Sequence, residues 1–267
     1  TPARWKRSGA CPCENLRGST MSGTRSPFRK ERAIEAILVS HGQPSHPQAG
    51  EAYLRALAQQ VREFLPGWSI RSATLAAPGA LDRALGLAGP EPLVFPVFMA
   101  EGWFTQTALT GRLKGTGARQ LPALGIHPEL PRLTAHFLEM TAERTHWNAS
   151  GYELLLAAHG SATCRSTAQS TVRFAAGLAE WLPERPIRLG FLEEAPFLEQ
   201  TATSCGMRTV LLPLFAGNGH HVTQDIPEAL DKAGFEGLRL APLIEAPFVP
   251  KLIACALESA NRKELAA

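Results

Sequence analysis

Five side chains at the ends of apolar runs carry the chemistry this chain has to offer. His159 closes the run YELLLAA, and Glu193 and Glu194 close IRLGFL. His220 and His221 follow LLPLFAGNG. Neutral imidazole and carboxylate are both bases near neutral pH, and together they suit a first-row divalent cation. Singly, each has a plainer role open to it. A histidine at a strand end commonly serves as a structural hydrogen-bonding group, and an acid before a helix is favoured by the helix dipole. A sixth group, His41, closes AIEAILVS, with a strand-capping role as its plain alternative.

The elements that must position these groups read as strands and helices in alternation. Residues 33–42, 68–75, 92–100 and 120–127 are strand candidates. Between them, Leu54, Leu57, Val61, Phe64 and Leu65 fall on one helical face, a short helix covers Pro78–Leu87, and a closing helix lies near Leu133–Arg144. Alternating β and α segments predict an α/β fold with parallel sheets, whose ligands bind beyond the carboxyl ends of the strands. Asp225-Ile-Pro227 reads as a helix start with Asp225 as the N-cap. Phe191 and Phe215 read as core.

The pattern then repeats. His159-Gly160 stands 118 residues after His41-Gly42, and AEWLPERPIR echoes REFLPGWSIR at 117. Pro213 matches Pro96 at 117, and APFVPKLIACALE matches HPELPRLTAHFLE at 119. Landmarks in one order at a nearly constant offset indicate a tandem duplication of a βαβαβαβ unit. The division expected is a basic tail over residues 1–30, a first half over 31–147 and a second half over 148–267. The halves differ where chemistry is concerned. At the 117 offset, Trp103 stands for His220, Phe104 for His221 and Ala76 for Glu193.

The second half resembles the class II chelatases of the CbiX type, the sirohydrochlorin cobaltochelatase and ferrochelatase family. The residues that carry the resemblance are His159-Gly160-Ser161, Phe191-Leu192-Glu193, Pro213-Leu214-Phe215, His221-Val222 and Asp225-Ile226-Pro227, in that order and each at a strand end. It extends over most of residues 152–260 and more loosely over 33–145. The resemblance implies two chelatase-like lobes, each a four-stranded parallel sheet with helices on both faces, and a cleft between them. It implies insertion of Co²⁺ or Fe²⁺, as substrate, into a sirohydrochlorin-like tetrapyrrole of cobalamin or siroheme synthesis, with cobalt slightly preferred. No organic cofactor is implied. His159 and His221 would be metal ligands, and Glu193 a third ligand or proton acceptor. His220, Glu194 and His41 are secondary candidates, because the doubled His-His and Glu-Glu leave both assignments open. The first half would be a degenerate copy walling the cleft. A tetrapyrrole or metal carrier is the alternative reading.

Composition bounds the rest. The 267 residues are 45% apolar and 19% charged, as in an ordinary globular protein. No apolar run reaches the roughly 18 residues of a membrane span. Residues 1–30 hold seven Lys/Arg against one acid, so of the net +3 they contribute +6 and the remainder carries −3. The body therefore offers no basic footprint for nucleic acid. Five cysteines without a CxxC pair point to reduced thiols and a cytoplasmic setting, and Cys11-Pro-Cys13 makes only a weak metal motif. The tail is expected to be disordered, with Met21 a plausible start and residues 1–20 an extension. A GxSxG nucleophile elbow, the mark of an α/β hydrolase, is missing from the sequence. With two lobes on one chain, a monomer suffices.

Overall fold

The structure is a computed structural model that describes residues 34–147, 151–161 and 165–265. The expectations for the tail, including Cys11, Cys13 and Met21, lie outside the described residues.

Two all-parallel four-stranded sheets form the frame. In the first, β1 (Glu35–Ser40), β2 (Ser69–Thr74), β3 (Leu93–Pro96) and β4 (Arg119–Gln120) take the order β2-β1-β3-β4. In the second, β5 (Glu153–Ala158), β6 (Ile187–Phe191), β7 (Thr209–Pro213) and β8 (Leu238–Arg239) take the same order, β6-β5-β7-β8. Central strands β1 and β5 are buried on both faces, which is why they read as unbroken apolar runs.

Alternate residues of these strands enter different cores. Ala36 and Leu38 of β1, and Leu154, Leu156 and Ala158 of β5, share one contiguous cluster that runs between the sheets. Helices α1 (Pro47–Glu63), α4 (Leu130–Arg144), α5 (Arg165–Trp181) and α8 (Val249–Leu265) border that inner layer. Ile37 and Val39 face the opposite way, onto α2 (Ala80–Leu87) and α3 (Thr110–Leu113). Leu155 and Ala157 face α6 (Leu198–Thr203) and α7 (Ile226–Lys232). The last helix of each repeat crosses over: α4 packs on α5, and α8 packs on α1. Arg119 reinforces this with a hydrogen bond to the Ala260 carbonyl at 3.0 Å. The helix exchange fixes one sheet against the other, and with them the rims that carry the candidate groups.

Three expectations about elements need correction. The fourth strand covers only Arg119–Gln120, not 120–127. Pro122 has no N–H to give a ladder, and the Gly125 amide turns back to the Phe98 carbonyl, so the chain goes into a 3₁₀ turn at Leu124–Ile126. Phe64 is not on the buried face of its helix; α1 ends at Glu63 and the Phe64 ring is exposed. Asp225 is not an N-cap. It sits in helical conformation with no capping hydrogen bond, because the helical segment already begins at His221 as a π-turn, His221–Asp225, that runs into α7. The first repeat has a π-turn at the matching place, Phe104–Leu109, running into α3. No described helix is long and apolar enough to cross a membrane.

Candidate active site

The carboxyl ends of β5, β6 and β7 bring the predicted groups together. β5 ends at Ala158, and the next residue, His159, enters a turn that Gly160 makes at φ +70°. A Cβ at Gly160 would lie 2.9 Å from the Glu194 side chain, so glycine is required there for space as well as for backbone conformation. Glu194 occupies that position because its Oε1 accepts a hydrogen bond from the Ser161 amide at 2.7 Å. Glu193 is held by its own backbone, whose amide donates to the His159 carbonyl at 3.0 Å. Its carboxylate stays half-exposed, 3.6 Å from His159 Nε2. The two adjacent glutamates are thereby separated: Glu194 braces the His-Gly-Ser turn, and Glu193 faces the imidazole.

After β7 the chain crosses Ala216–Gly219 and enters the π-turn, which puts the His221 ring edge-on to His159 with centroids 4.4 Å apart. Their Nε2 atoms are 3.1 Å apart. The other nitrogen of each ring is also engaged. His159 Nδ1 lies 3.0 Å from the Gly160 carbonyl oxygen, and His221 Nδ1 lies 2.6 Å from Asp225 Oδ2. A carbonyl and a carboxylate only accept, so each Nδ1 is the protonated nitrogen and donates. Each Nε2 then presents a lone pair to the other. The two Nε2 atoms face each other across 3.1 Å, a disposition suited to holding a divalent cation between imidazoles.

His220 lies outside this contact. Its ring is largely exposed, and its Nε2 stands 3.5 Å from the other oxygen of Asp225. Asp225 thus orients His221 by a short charge-assisted bond and touches His220 only loosely. Its position four residues after His221 was the sequence signal, masked by the Pro227 that suggested a later helix start. Phe191 is buried as expected, whereas Phe215 is half-buried, with its ring 6.3 Å from that of His221. Among the described residues, no three His, Cys, Asp or Glu side chains form a group able to hold a metal ion. Glu193 approaches one imidazole and completes no cage.

On the first half's rim, His41 packs against Phe104 with centroids 4.1 Å apart, and Phe104 meets Trp103 and Phe98. His41 Nδ1 is buried with no hydrogen-bond partner among the described residues, and burial lowers its pKa, so the ring stays neutral. The two rims approach each other: a side chain added at Gly219, just before the histidines, would meet the Gln43 carboxamide at 3.7 Å. Elsewhere, a hollow of about 410 Å³ lies along the free edge of β2, lined by Arg55, Arg62, Arg71 and Arg83. Arg62 there donates to the Ile70 carbonyl, which guards an open strand edge.

A family model, CbiX, matches residues 153–249, the segment that contains every group of the imidazole site. A solved structure of CbiX, described as the terminal enzyme for biosynthesis of siroheme in denitrifying bacteria, is 43% identical. The match covers 86% of this chain and 99% of that one, with a TM-score of 0.76. The chain belongs to the CbiX family. The structure of SirB from Bacillus subtilis with Fe³⁺ is 13% identical, covers 85% of this chain and 95% of that one, and gives a TM-score of 0.66. The sirohydrochlorin chelatase SirB from Bacillus subtilis subspecies spizizenii in complex with cobalt gives 11%, 85%, 95% and 0.62 for the same quantities. At these identities the two SirB structures speak for the fold alone. No curated protein matches the chain.

Proposed function

We propose that this protein inserts a divalent metal ion, Co²⁺ or Fe²⁺, into a sirohydrochlorin-type tetrapyrrole, with His159 and His221 as the groups that present the ion. The observation that carries this is the pair of Nε2 atoms 3.1 Å apart, each turned toward the other by an acceptor on its Nδ1. The role in siroheme biosynthesis of the 43% identical relative favours iron of the two metals. Imidazole nitrogens accept either.

Two imidazoles form a loose holder, and looseness is what a metal in transit needs. A full protein cage of four ligands would retain the ion against the ring. Here the remaining coordination positions are open to pyrrole nitrogens. As the ion passes into the ring, two pyrrole N–H protons must leave, and the charge balances because one divalent cation enters for two protons released. The Nε2 lone pairs vacated by the metal are the nearest bases. Asp225 stabilises the imidazolium that forms on His221, at 2.6 Å from Nδ1. Glu193, 3.6 Å from His159 Nε2 and open to water, relays the other proton outward.

The test is direct. Full-length protein, metal-free sirohydrochlorin and Fe²⁺ or Co²⁺ are mixed under anaerobic conditions, and the absorbance change is followed against the protein-free rate. Acceleration saturable in both substrates is expected. Tight tetrapyrrole binding without acceleration would make the protein a carrier and overturn the proposal.

A further inference from the structure

The first half's rim is the least expected surface of the molecule. Trp103 is 63% exposed and Phe104 39% exposed, two adjacent large aromatic rings left in water at the carboxyl end of a sheet. They are not loose surface residues. Phe104 is set by His41 at 4.1 Å and by Phe98 at 6.4 Å, and Trp103 stands edge-on to Phe104 at 5.2 Å. The group has a fixed shape that the core does not need. A rigid, exposed aromatic surface of this kind marks a binding face.

Its position identifies the occupant. Phe104 opens the π-turn of the first half as His221 opens that of the second. The two rims face each other where Gln43 meets Gly219. Anything flat enough to lie between them would meet imidazoles on one side and aromatic rings on the other. We propose that Trp103 and Phe104 form a stacking platform for one face of the tetrapyrrole, while the opposite face receives the metal from His159 and His221. This rests on the reading given under Proposed function. The chemistry matches. A tetrapyrrole has an extended apolar π-face with its carboxylates at the periphery, so its flat surface suits Trp and Phe. His41 adds an uncharged ring beneath Phe104 and places no positive charge across from the incoming cation. The halves therefore divide the work, one gripping the ring and one supplying the metal, and insertion proceeds from a single face.

The experiment uses the full chain and its Trp103→Ala, Trp103→Phe and Phe104→Leu variants. Affinity for metal-free sirohydrochlorin is measured by absorbance titration without metal, Co²⁺ affinity by calorimetry without tetrapyrrole, and oligomeric state by sedimentation. Loss of one stacking partner should weaken tetrapyrrole binding about tenfold in Trp103→Ala. Phe104→Leu should do the same, Trp103→Phe should retain most of the affinity, and Co²⁺ binding should be unchanged in all three. Unchanged tetrapyrrole affinity in Trp103→Ala overturns the platform. So does a variant whose main change is in sedimentation, which would mean that the aromatic rim covers a second copy of the chain. The two readings fail separately. Trp103-dependent binding by a wild-type protein that does not accelerate insertion sustains the platform and removes the chelatase. Insertion with Trp103-independent binding does the reverse.

Discussion

In the second half His159 meets His221 with ring centroids 4.4 Å apart; in the first half His41 meets Phe104 at 4.1 Å. The same two positions, on the same π-turn and strand end, hold a ring against a ring in both places. The ring packing is alike in the two places, and only the second presents two facing imidazole nitrogens. Three replacements account for the difference. Phe104 stands for His221, Ala108 for Asp225 and Ala76 for Glu193. The backbone around them is retained, as the Ala76 amide donates to the His41 carbonyl at 2.8 Å much as the Glu193 amide donates to that of His159. A rim loop can thus exchange a polar site for an apolar one without disturbing the strands that carry it.

The harshest way to break the contrast is to make the second half resemble the first. His221→Ala removes one of the two facing nitrogens. Insertion should fall by more than about 100-fold, since even an outer partner of a metal ligand is typically worth 10- to 100-fold. The circular dichroism spectrum and melting temperature should stay close to wild type, because the His221 ring is part-exposed and the strands do not depend on it. His220→Ala should be much milder. A wild-type rate in His221→Ala would place the metal elsewhere.

Asp225→Asn comes next in size. The amide can still meet His221 Nδ1 at 2.6 Å but loses its charge, so the imidazole is less basic and its tautomer less firmly set. Metal affinity should drop by about 10- to 100-fold, with less change in tetrapyrrole affinity. If Asp225→Asn left metal binding intact, the short contact would be structural only.

Much of this was readable in the chain, and the exceptions have physical causes. Strands buried on both faces show themselves as apolar runs, so β1, β3, β5 and β7 and the residues after them could be located by eye. The offset between Pro96 and Pro213 aligns the two rims from the sequence alone. The N-cap expectation for Asp225 fails because its partner, His221, lies one π-turn back, a backbone form that composition does not announce. Adjacent Glu193 and Glu194 could not be distinguished, since the difference lies in one backbone amide, that of Ser161. The exchange of α4 and α8 between halves was hidden for the same kind of reason. It depends on which apolar face meets which, and both helices are amphipathic in any arrangement.

The contrast can also be reversed. Phe104→His with Ala108→Asp rebuilds, on the first half's π-turn, the imidazole and the acid four residues beyond it. His41 is already in place. The double variant should bind a second equivalent of Co²⁺ per chain, more weakly than the first because His41 Nδ1 has no acceptor among the described residues to orient its ring as the Gly160 carbonyl orients that of His159. Equilibrium dialysis counts the sites. A stoichiometry unchanged from wild type would show that ring spacing alone does not define the site and that loop differences outside these positions matter.

The smallest expected effect concerns His41 itself. Burial lowers its pKa in the folded protein, while the unfolded chain titrates near 6.5. Between those two values the unfolded state holds a proton that the folded state does not, so folding stability falls as pH drops below about 6.5 and levels off once the folded pKa is passed. His41→Phe removes that titration and keeps a ring against Phe104. Its melting temperature should decline less between pH 7.5 and pH 5 than that of the wild type. Some slope will remain, because partial burial also lowers the pKa of His127. Equal slopes would mean that His41 gains a proton as readily in the folded state as in the unfolded chain. The first half's ring pair would then keep an ionisable character despite its apolar neighbours, and the contrast between a half with two facing imidazoles and a half with an uncharged ring pair would have to be drawn elsewhere.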